Sequence, residues 1–386
     1  MKKFAKISLA AAVAVAGLSS VASAKPLEEA IKGVDATGYV TYQYNDRNDT
    51  MTGGNSDQDN TYKAGITLTV PATDDVKVKV AGSARGATDD STGDVNVETK
   101  LTHAHFIYTG VQNLTVIAGK QALNTPWTQG SSTIDPTQIG SGVLALYNAG
   151  FATLAAGHIV NSNITIDPLS GASVKPNDIT VAAAIVPMGD VATAQVWYAD
   201  VSKDSASALT KGADALSVSA DVNLMDVAKL AVAHSTFDTN GVIAGKGKLT
   251  KAVVSGSAGP VNLALGYGKT GKEGNGIVAF DNDGSANFLG WDVGLNGVAD
   301  ASAYLVSANM DVLPALNVGL THVAAKQDAA THGNGDLKWN ETYASATYTF
   351  AANLYATVML GQEEMKDNSG KSMDDDKGRL EIGFKF

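Results

Sequence analysis

The chain has 386 residues, a formal net charge of −11, no cysteine and 44% hydrophobic residues. A chain this acidic repels nucleic acid, so we exclude nucleic-acid binding, and the lack of cysteine excludes disulfides and thiol chemistry. After the first 24 residues, one of the longest unbroken apolar runs, 181–186, has only six residues. A membrane-spanning helix needs about 20 apolar residues, so no such helix is expected.

The first 24 residues have the features of a secretory signal peptide. They contain three lysines, an apolar run over 7–18, and Ala22-Ser23-Ala24 before the expected cleavage site. Cleavage there lowers the count of Lys and Arg from 28 to 25 against 39 Asp and Glu, so the net charge becomes −14. We predict a cleaved signal over 1–24, a short periplasmic segment over 25–35, and one domain over 36–386.

From Gly38 onward the hydrophobic pattern has a period of two, which is typical of β-strands. Val40 and Tyr42 share one face of the first strand, and Thr41 and Gln43 share the other. Six later segments show the same alternation: 62–70, 75–82, 102–108, 114–120, 261–268 and 354–360. The pattern predicts a long series of strands.

The connections between these strands fall into two length classes. Nine are long and polar: 46–61, 86–98, 122–142, 161–178, 203–212, 238–248, 270–299, 325–338 and 363–377. Eight are short: 71–75, 109–113, 148–150, 187–190, 223–226, 257–260, 309–314 and 349–353. The classes alternate strictly, so seventeen connections join eighteen strands. This arrangement is typical of bacterial outer-membrane barrels, with turns at one end and loops at the other. The longest connection, 270–299, has room for one further hairpin.

The end of the chain supports a closed barrel. Leu380, Ile382, Phe384 and Phe386 share one face of an extended strand. An open sheet edge of this kind would promote aggregation, whereas in a closed membrane barrel the last strand pairs with the first and lipid covers the apolar face. The predicted fold is an all-β, transmembrane antiparallel β-barrel of 18 strands in the bacterial outer membrane. The ending also resembles the terminal signal of such barrels, which implies recognition of Phe386 by the barrel-assembly machinery.

A barrel of this size encloses an aqueous channel, which must be narrowed before it can select solutes. The connection 122–142 is the candidate constriction because it contains two prolines, Trp127, and only one ionisable residue, Asp135. We predict that it folds into the lumen and that Asp135 faces passing cations. The alternative is an ordinary extracellular loop in which Trp127 has no special role.

Charged residues on the non-lipid strand faces are candidates for the channel wall. Lys77, Lys79 and Arg85 share one face of the third strand and form a basic series. The same alternation predicts three further lumen residues: Lys229, Arg379 and Glu381. Rings of charge select solutes by field and size. The alternative for any one of these residues is an ordinary solvated wall charge.

No catalytic motif is present, so we predict no enzymatic activity and no resident cofactor. His103 and His105 share a strand face, but two histidines without a nearby carboxylate or thiol more often line a wall than bind a metal. Asp281 and Asp283 are acidic enough to bind a divalent cation such as calcium loosely, although their spacing departs from the EF-hand loop. A solvated loop is the preferred interpretation at these two residues.

Two stretches resemble a known family. The resemblance lies in residues 26–35, which are followed by Tyr39, Tyr42 and Tyr44, and in residues 119–128. It is to the major outer membrane protein family of Campylobacter and its relatives. The resemblance implies an eighteen-stranded homotrimeric porin that passes small hydrophilic solutes, usually with a cation preference. The chain departs from the family pattern after Thr128 and in 270–299, which affects the expected pore size and selectivity more than the fold.

Two functions are expected from these observations. The first is a general diffusion porin, weakly cation-selective and constricted by 122–142, in contact with outer-membrane lipid and lipopolysaccharide. The alternative is a surface-exposed structural or adhesive barrel whose long loops bind host or environmental surfaces. An inward-folded 122–142 with an open eyelet favours the porin, whereas a sealed lumen favours the surface anchor.

Overall fold

The structure is a computed structural model in which a defined part of the chain is described. The described residues are 33–49, 55–89, 93–94, 97–130, 132, 138–175, 177–225, 227–328, 337–366 and 372–386. The predicted signal over 1–24 lies outside them, as does most of the predicted periplasmic segment over 25–35. Among the described residues, no helix has the length and apolarity to cross a membrane.

One closed antiparallel sheet dominates the molecule. Its eighteen long strands are β1 (Asp35–Asp49), β2 (Asn55–Pro71), β3 (Val76–Asp89), β4 (Glu98–Val111), β5 (Leu114–Ala122), β6 (Ile139–Asn148), β7 (Thr153–Ser162), β8 (Ile179–Met188), β9 (Ala192–Val201), β10 (Ala213–Leu224), β11 (Ala228–Asp238), β12 (Lys246–Ala258), β13 (Val261–Thr270), β14 (Ala301–Leu313), β15 (Leu316–Gln327), β16 (Leu337–Ala351), β17 (Leu354–Lys366) and β18 (Ser372–Lys385). Each strand pairs with its neighbours in the chain, and β18 pairs with β1. The predicted eighteen-stranded closed barrel is confirmed.

The closure of the barrel rests on the terminal strand. The register runs from Tyr39 opposite Lys385 to Asp49 opposite Asp375. Beyond it, the backbone N–H and C=O of Gly38 each bond to Phe386, at 2.8 and 3.0 Å. The last strand therefore has no free edge, as the alternation of its apolar residues predicted.

Side chains alternate between the two faces of the barrel wall. Large apolar residues on the outward face are exposed, among them Ile66, Phe106 and Leu360. Inward neighbours such as Thr41 and Lys63 are polar and buried. Lipid covers an outward apolar band of this kind in a membrane barrel, so the pattern separates a lipid face from a lumen face.

Several strands extend further than the sequence pattern indicated. Residues 46–49 and 55–61, assigned to a long loop from the sequence, pair with each other in β1 and β2, with Arg47 opposite Asp57. The same correction applies to 86–89 in β3 and to 363–366 in β17. The sequence of these strand ends is mostly polar and shows no hydrophobic alternation, although the backbone ladder continues through them.

A few short elements lie outside the barrel ladder or at its margin. They are the strand Gly93–Asp94, the two-residue pair Thr165–Ile166 and Ala172–Ser173, and 3₁₀ turns at Asp167–Leu169 and Gly274–Gly276. The long connection 271–300 contains one isolated bridge between Leu289 and Gly294 and no hairpin. The further hairpin for which this connection had room is therefore absent from it.

Two apolar cores lie on the inward side of the wall. The first contains Leu123, Trp127, Ile164, Leu209 and Phe280 from the long connections, packed against wall residues of β7 to β11. The second joins the connection 271–300 to inward residues of β12, β14 and β15. The long connections therefore fold back into the barrel instead of projecting away from it.

Candidate functional site

The first part of the connection 122–142 is packed inside the barrel. Trp127 is fully buried in the first core, against the inward residues Ile159 and Ile179. A tight local turn holds it there: the Thr125 N–H donates to Thr128 Oγ1 at 3.1 Å. The Leu123 N–H donates to the Gln138 carbonyl at 2.9 Å and so closes the base of the segment.

The connection 122–142 also contacts β2, which is not one of the two strands that it connects. Lys63, on the inward face of β2, donates from Nζ to the Ser132 carbonyl at 2.7 Å. Because the segment leaves β5 and returns to β6, a contact with β2 carries it along the inner wall past β3 and β4. Asp135, the predicted cation-facing residue, lies outside the described residues, so its position stays a prediction.

The connection 271–300 meets this segment inside the barrel. The Phe280 N–H donates to the Trp127 carbonyl at 3.0 Å, and the Ala286 N–H donates to the Pro126 carbonyl at 2.7 Å. Phe280 also belongs to the same apolar core as Trp127, and its ring makes a T-shaped contact with Phe237 of β11, with centroids 5.1 Å apart. Backbone hydrogen bonds and apolar packing thus join the two connections.

Charged side chains hold 271–300 on two sides of the lumen. Lys251 of β12 donates from Nζ to the carbonyls of Ser285 and Asn287, both at 2.6 Å. On the far side, Asp292 accepts from Arg47 of β1 at 2.8 Å. The connection therefore runs across the barrel interior from β12 to β1.

The attachment at Asp292 is part of a buried ionic cluster. Lys377 Nζ lies 2.7 Å from Asp292, 2.7 Å from Glu341 and 3.1 Å from Glu363. Both oxygens of Glu341 accept backbone N–H bonds, from Trp291 and from Asp292, each at 2.8 Å. The side chains of Lys377 and Glu341 are 0% exposed, so neither charge is hydrated by water. The ion pairs and hydrogen bonds of the cluster compensate for this lost hydration.

Three carboxylates this close together raise the question of a metal ion. Asp292, Glu341 and Glu363 each offer an oxygen within 4.8 Å of the others. The Lys377 ammonium already contacts all three of these carboxylates. The cluster is therefore satisfied as an ion-pair network with the lysine as its cation.

The charge of Asp292, which lies in the connection and not in a strand, is favoured by this setting. Burial alone would raise the pKa of Asp292, but the positive charges of Lys377 and Arg47 outweigh it. The pKa therefore lies below its ordinary value of 3.8. Asp292 consequently stays ionised across the neutral and mildly acidic range.

The basic series predicted on β3 lies on the inward face. Lys79 is opposite His105 of β4, and Arg85 is opposite Lys63 of β2. Lys77 is exposed, and Lys79 and Arg85 are half-buried. Lys63 follows the same alternation and extends the series to a second strand, although we did not select it from the sequence.

The other predicted lumen charges are spread around the barrel. Arg379 donates from Nε to Asn45 at 2.7 Å, and its guanidinium lies 5.0 Å from the Trp291 ring. Glu381 accepts from Gln43 Nε2 at 3.1 Å and from Tyr355 OH at 2.8 Å. Both residues belong to the β18 wall.

Lys229 occupies a different level of the lumen. It is exposed, and it shares the inward face of β11 with the buried residues Ser235 and Phe237. Its strand begins just after a short turn, so Lys229 lies at the turn end of the barrel. It is not part of the crossing formed by the two connections.

Comparison with known proteins identifies the family. The family model described as Campylobacter major outer membrane protein matches residues 1–386, the full chain. The chain belongs to this family. A search of curated proteins finds no match.

This member of the major outer membrane protein family is similar in fold to several solved structures. Pseudomonas aeruginosa OccK5 (OpdH) matches with a TM-score of 0.73 and 14% identity, covering 92% of this chain and 98% of that one. P. aeruginosa OpdQ matches with a TM-score of 0.71 and 14% identity, covering 92% of this chain and 99% of that one. Acinetobacter baumannii OccAB3 matches with a TM-score of 0.71 and 11% identity, covering 92% of this chain and 100% of that one. The chain is thus an outer-membrane protein that shares the barrel fold of these structures.

The predicted histidine pair is part of the inner barrel wall. The His103 and His105 rings are tilted, with centroids 5.6 Å apart. His105 Nδ1 lies 2.9 Å from the Lys120 carbonyl, and His103 Nδ1 lies 3.1 Å from Thr102 Oγ1. These contacts with neighbouring atoms of the barrel wall account for the orientation of both rings.

Asp281 and Asp283 are placed differently from an outer solvated loop. Asp281 donates its N–H to the Trp127 carbonyl at 3.2 Å, inside the barrel. The Asp283 side chain is exposed and accepts from Gln129 Nε2 at 2.8 Å. The pair therefore links the two connections that cross the lumen.

Sequence reasoning missed the connection 271–300 as a lumen element. Its signal was present in the run Ile277-Val-Ala-Phe280 and in Phe288, Val293 and Leu295. A polar extracellular loop would not need such residues, and here they are buried in the two inner cores. The partners Arg47, Glu341 and Lys377 carried no periodic signal that would have linked them.

Proposed function

We propose that the protein is a passive diffusion porin that admits small hydrophilic solutes and ions, with 122–142 as its constriction. The observation that carries this proposal is the crossing of the lumen by two attached connections that meet at Trp127. Such segments narrow a wide barrel. The inward face of β3 keeps the solvent-accessible charges Lys77, Lys79 and Arg85 beside them, which supports a hydrated path along that wall.

A weak cation preference is part of the proposal. Without the predicted signal the chain carries a net charge of −14, which favours cations in and around the channel mouth. The basic series on β3 opposes this preference locally. The charges of Asp292, Glu341 and Glu363 are largely offset by Lys377, which contacts all three, and by Arg47, which contacts Asp292. The remaining excess of acidic residues therefore has only a modest effect on passing ions, and the expected preference for cations over anions is small.

The surroundings and assembly of the porin complete the proposal. Outer-membrane lipid and lipopolysaccharide cover the outward apolar face, and three copies associate as a homotrimer. Phe386, which is 57% exposed, is the residue that the barrel-assembly machinery recognises before closure. No resident cofactor or catalytic activity is proposed, and a loosely bound calcium ion is at most an accessory.

A surface anchor is the second candidate function, and one observation favours it. The long connections fill part of the lumen with two apolar cores, as a sealed barrel would require. The same infolding works against an adhesive role, because 271–300 is then used inside the barrel and not displayed. The two functions differ in whether solutes cross the folded protein.

Solute flux into proteoliposomes distinguishes them. We expect liposomes containing the folded barrel to swell in sugar solutions at rates that fall steeply with sugar size, and a small reversal potential of cation sign across a salt gradient. Heat-dependent gel mobility of the same sample verifies folding. Folded protein without swelling would support the anchor, and a reversal potential of anion sign would show that Lys77, Lys79 and Arg85 outweigh the acidic residues.

A further inference from the structure

A cavity of about 410 Å³ lies between the inner wall and the crossing segments. Its wall side comes from β3 to β9, and Trp127 and Phe280 cover it from the lumen side. This volume is in the range of pockets that hold small organic ligands. It is larger than the space that single buried waters occupy in protein interiors.

Much of the wall side of the cavity is apolar, which is unusual for a porin lumen. Ile117 pairs with Leu144, Leu144 with Gly157, and Gly157 with Val181, so these inward positions form one row across four strands. Gly157 leaves a depression in the row, because a Cβ there would lie 3.1 Å from Leu144 and 3.2 Å from Val181. Water gains no hydrogen bond from this surface, so covering it with an apolar group is favourable.

The polar side chains of the wall are gathered at one end. Lys79 of β3 lies opposite His105 of β4, and His103 follows on the same inward face. All three line the cavity, whereas the wall beyond them, from β5 to β8, contributes the apolar row. The cavity therefore has a cationic end and a hydrocarbon side.

Two buried donors at the edge of the cavity lack acceptors. The side-chain Nε2 of Gln121 and the indole Nε1 of Trp127 have no hydrogen-bond partner among the described residues. Both side chains line the cavity, and they are 5% and 0% exposed. An unsatisfied buried donor is unfavourable, so an acceptor that a small side-chain rotation can reach would stabilise this site.

We propose that this cavity binds a small amphipathic anion, with a branched aliphatic or aromatic body on the Leu144–Val181 row and one carboxylate beside Lys79. The proposal rests on the porin function, since the solute reaches the cavity through the lumen. A carboxylate satisfies the ammonium of Lys79 and offers acceptors to the nearby donors. A primary amine of the same shape is repelled by Lys79, and acetate lacks the apolar body.

The probe is 4-methylpentanoate, compared with acetate and with 4-methylpentan-1-ol. Binding to the purified folded barrel is measured by equilibrium dialysis, with detergent micelles alone as the blank, and the block of single-channel current is recorded in parallel. We expect saturable binding of 4-methylpentanoate at concentrations where acetate and the alcohol bind weakly. The dialysis readout does not depend on conduction, so failure of the site and failure of the porin function are distinguishable.

Two pairs of variants locate the site. Lys79→Met should weaken 4-methylpentanoate binding by about tenfold. Lys77→Met removes the same charge from the same strand face outside the cavity and should leave binding nearly unchanged. Val181→Thr places a hydroxyl of similar size in the apolar row and should weaken binding of 4-methylpentanoate. Ile185→Thr on the same face of β8 is its control.

Each outcome decides for or against the proposal. Weakening by Lys79→Met and Val181→Thr, with both controls unchanged, would support it. Equal effects of Lys79→Met and Lys77→Met would reduce the observation to a general charge effect and overturn it. Equal binding of all three compounds, or binding that never saturates, would also overturn it. Heat-dependent gel mobility excludes misfolded variants, and if one member of a pair does not fold, the other pair decides.

Discussion

Lys377 is the residue through which three strands and one connection are held together. Its ammonium contacts carboxylates from 271–300, β16 and β17, and it lies 4.9 Å from the Trp291 ring. A fully buried ammonium is stable only when such partners replace its hydration. The carboxylates depend on Lys377 in the same way, because Glu341 is equally buried.

Replacement of Lys377 therefore has a large effect on stability. Lys377→Met keeps the length of the side chain but leaves three carboxylates without their shared cation. We expect a loss of about 3 kcal/mol in the free energy of unfolding, as found when one partner of a buried ion pair is removed. Urea unfolding in lipid vesicles measures it.

The matched control for this variant is Lys385→Met on the same strand. Lys385 is exposed near the turn end of the barrel, so its loss should change the free energy of unfolding only slightly. If the two variants unfolded at the same urea concentration, the buried cluster would not have the structural importance assigned to it.

The connections 122–130 and 271–300 behave as one inner layer. They are joined at Trp127 and Phe280. Lys251 holds 271–300 at the carbonyl of Ser285, and Lys377 holds it at Asp292. Backbone geometry adds a constraint: Gly276 has a φ of +68°, and a Cβ there would lie 2.3 Å from the Val298 backbone. The path of 271–300 is therefore fixed by local conformation as well as by its attachments.

Acid should release one attachment of this layer. Because the pKa of Asp292 is lowered in the folded protein, its contribution to stability is fully present above the ordinary value of 3.8 and is lost as the pH falls through the lower folded value. We expect the emission of Trp291, next in the chain to Asp292, to shift to longer wavelength in that range. The difference between the protein and its Trp291→Phe variant isolates this signal.

Asp292→Asn is the control for the acid effect. An amide cannot ionise, so this variant should show the released emission already at neutral pH and a smaller change on acidification. An unchanged acid transition in Asp292→Asn would contradict the assignment of the transition to Asp292.

The barrel architecture was predictable from the sequence, because the signals for it come from residues close to each other in the chain. Alternation such as Val40 and Tyr42 against Thr41 and Gln43 repeats along the chain, and the connection lengths set the strand count at eighteen. The terminal Phe386 indicated closure, and the structure pairs it with Gly38. These signals depend on neighbours in sequence, so they are visible without a structure.

The interior was much less predictable, because its contacts join distant positions. Asp292 meets Arg47 and Lys377 only after the barrel has closed and 271–300 has folded inward. The polar ends of β1 and β2 carry no hydrophobic alternation and were assigned to a loop. The apolar row on the lumen face was missed because a porin lumen is expected to be polar.

Single-channel conductance of the folded protein in a planar bilayer is the most direct test of the porin account. The account predicts discrete open steps. It also predicts larger steps for Trp127→Ala, because loss of the buried indole frees 122–130 from the wall. Equal steps in the two proteins would contradict the constriction. No steps at all from a barrel that is folded by gel mobility would contradict the porin function itself.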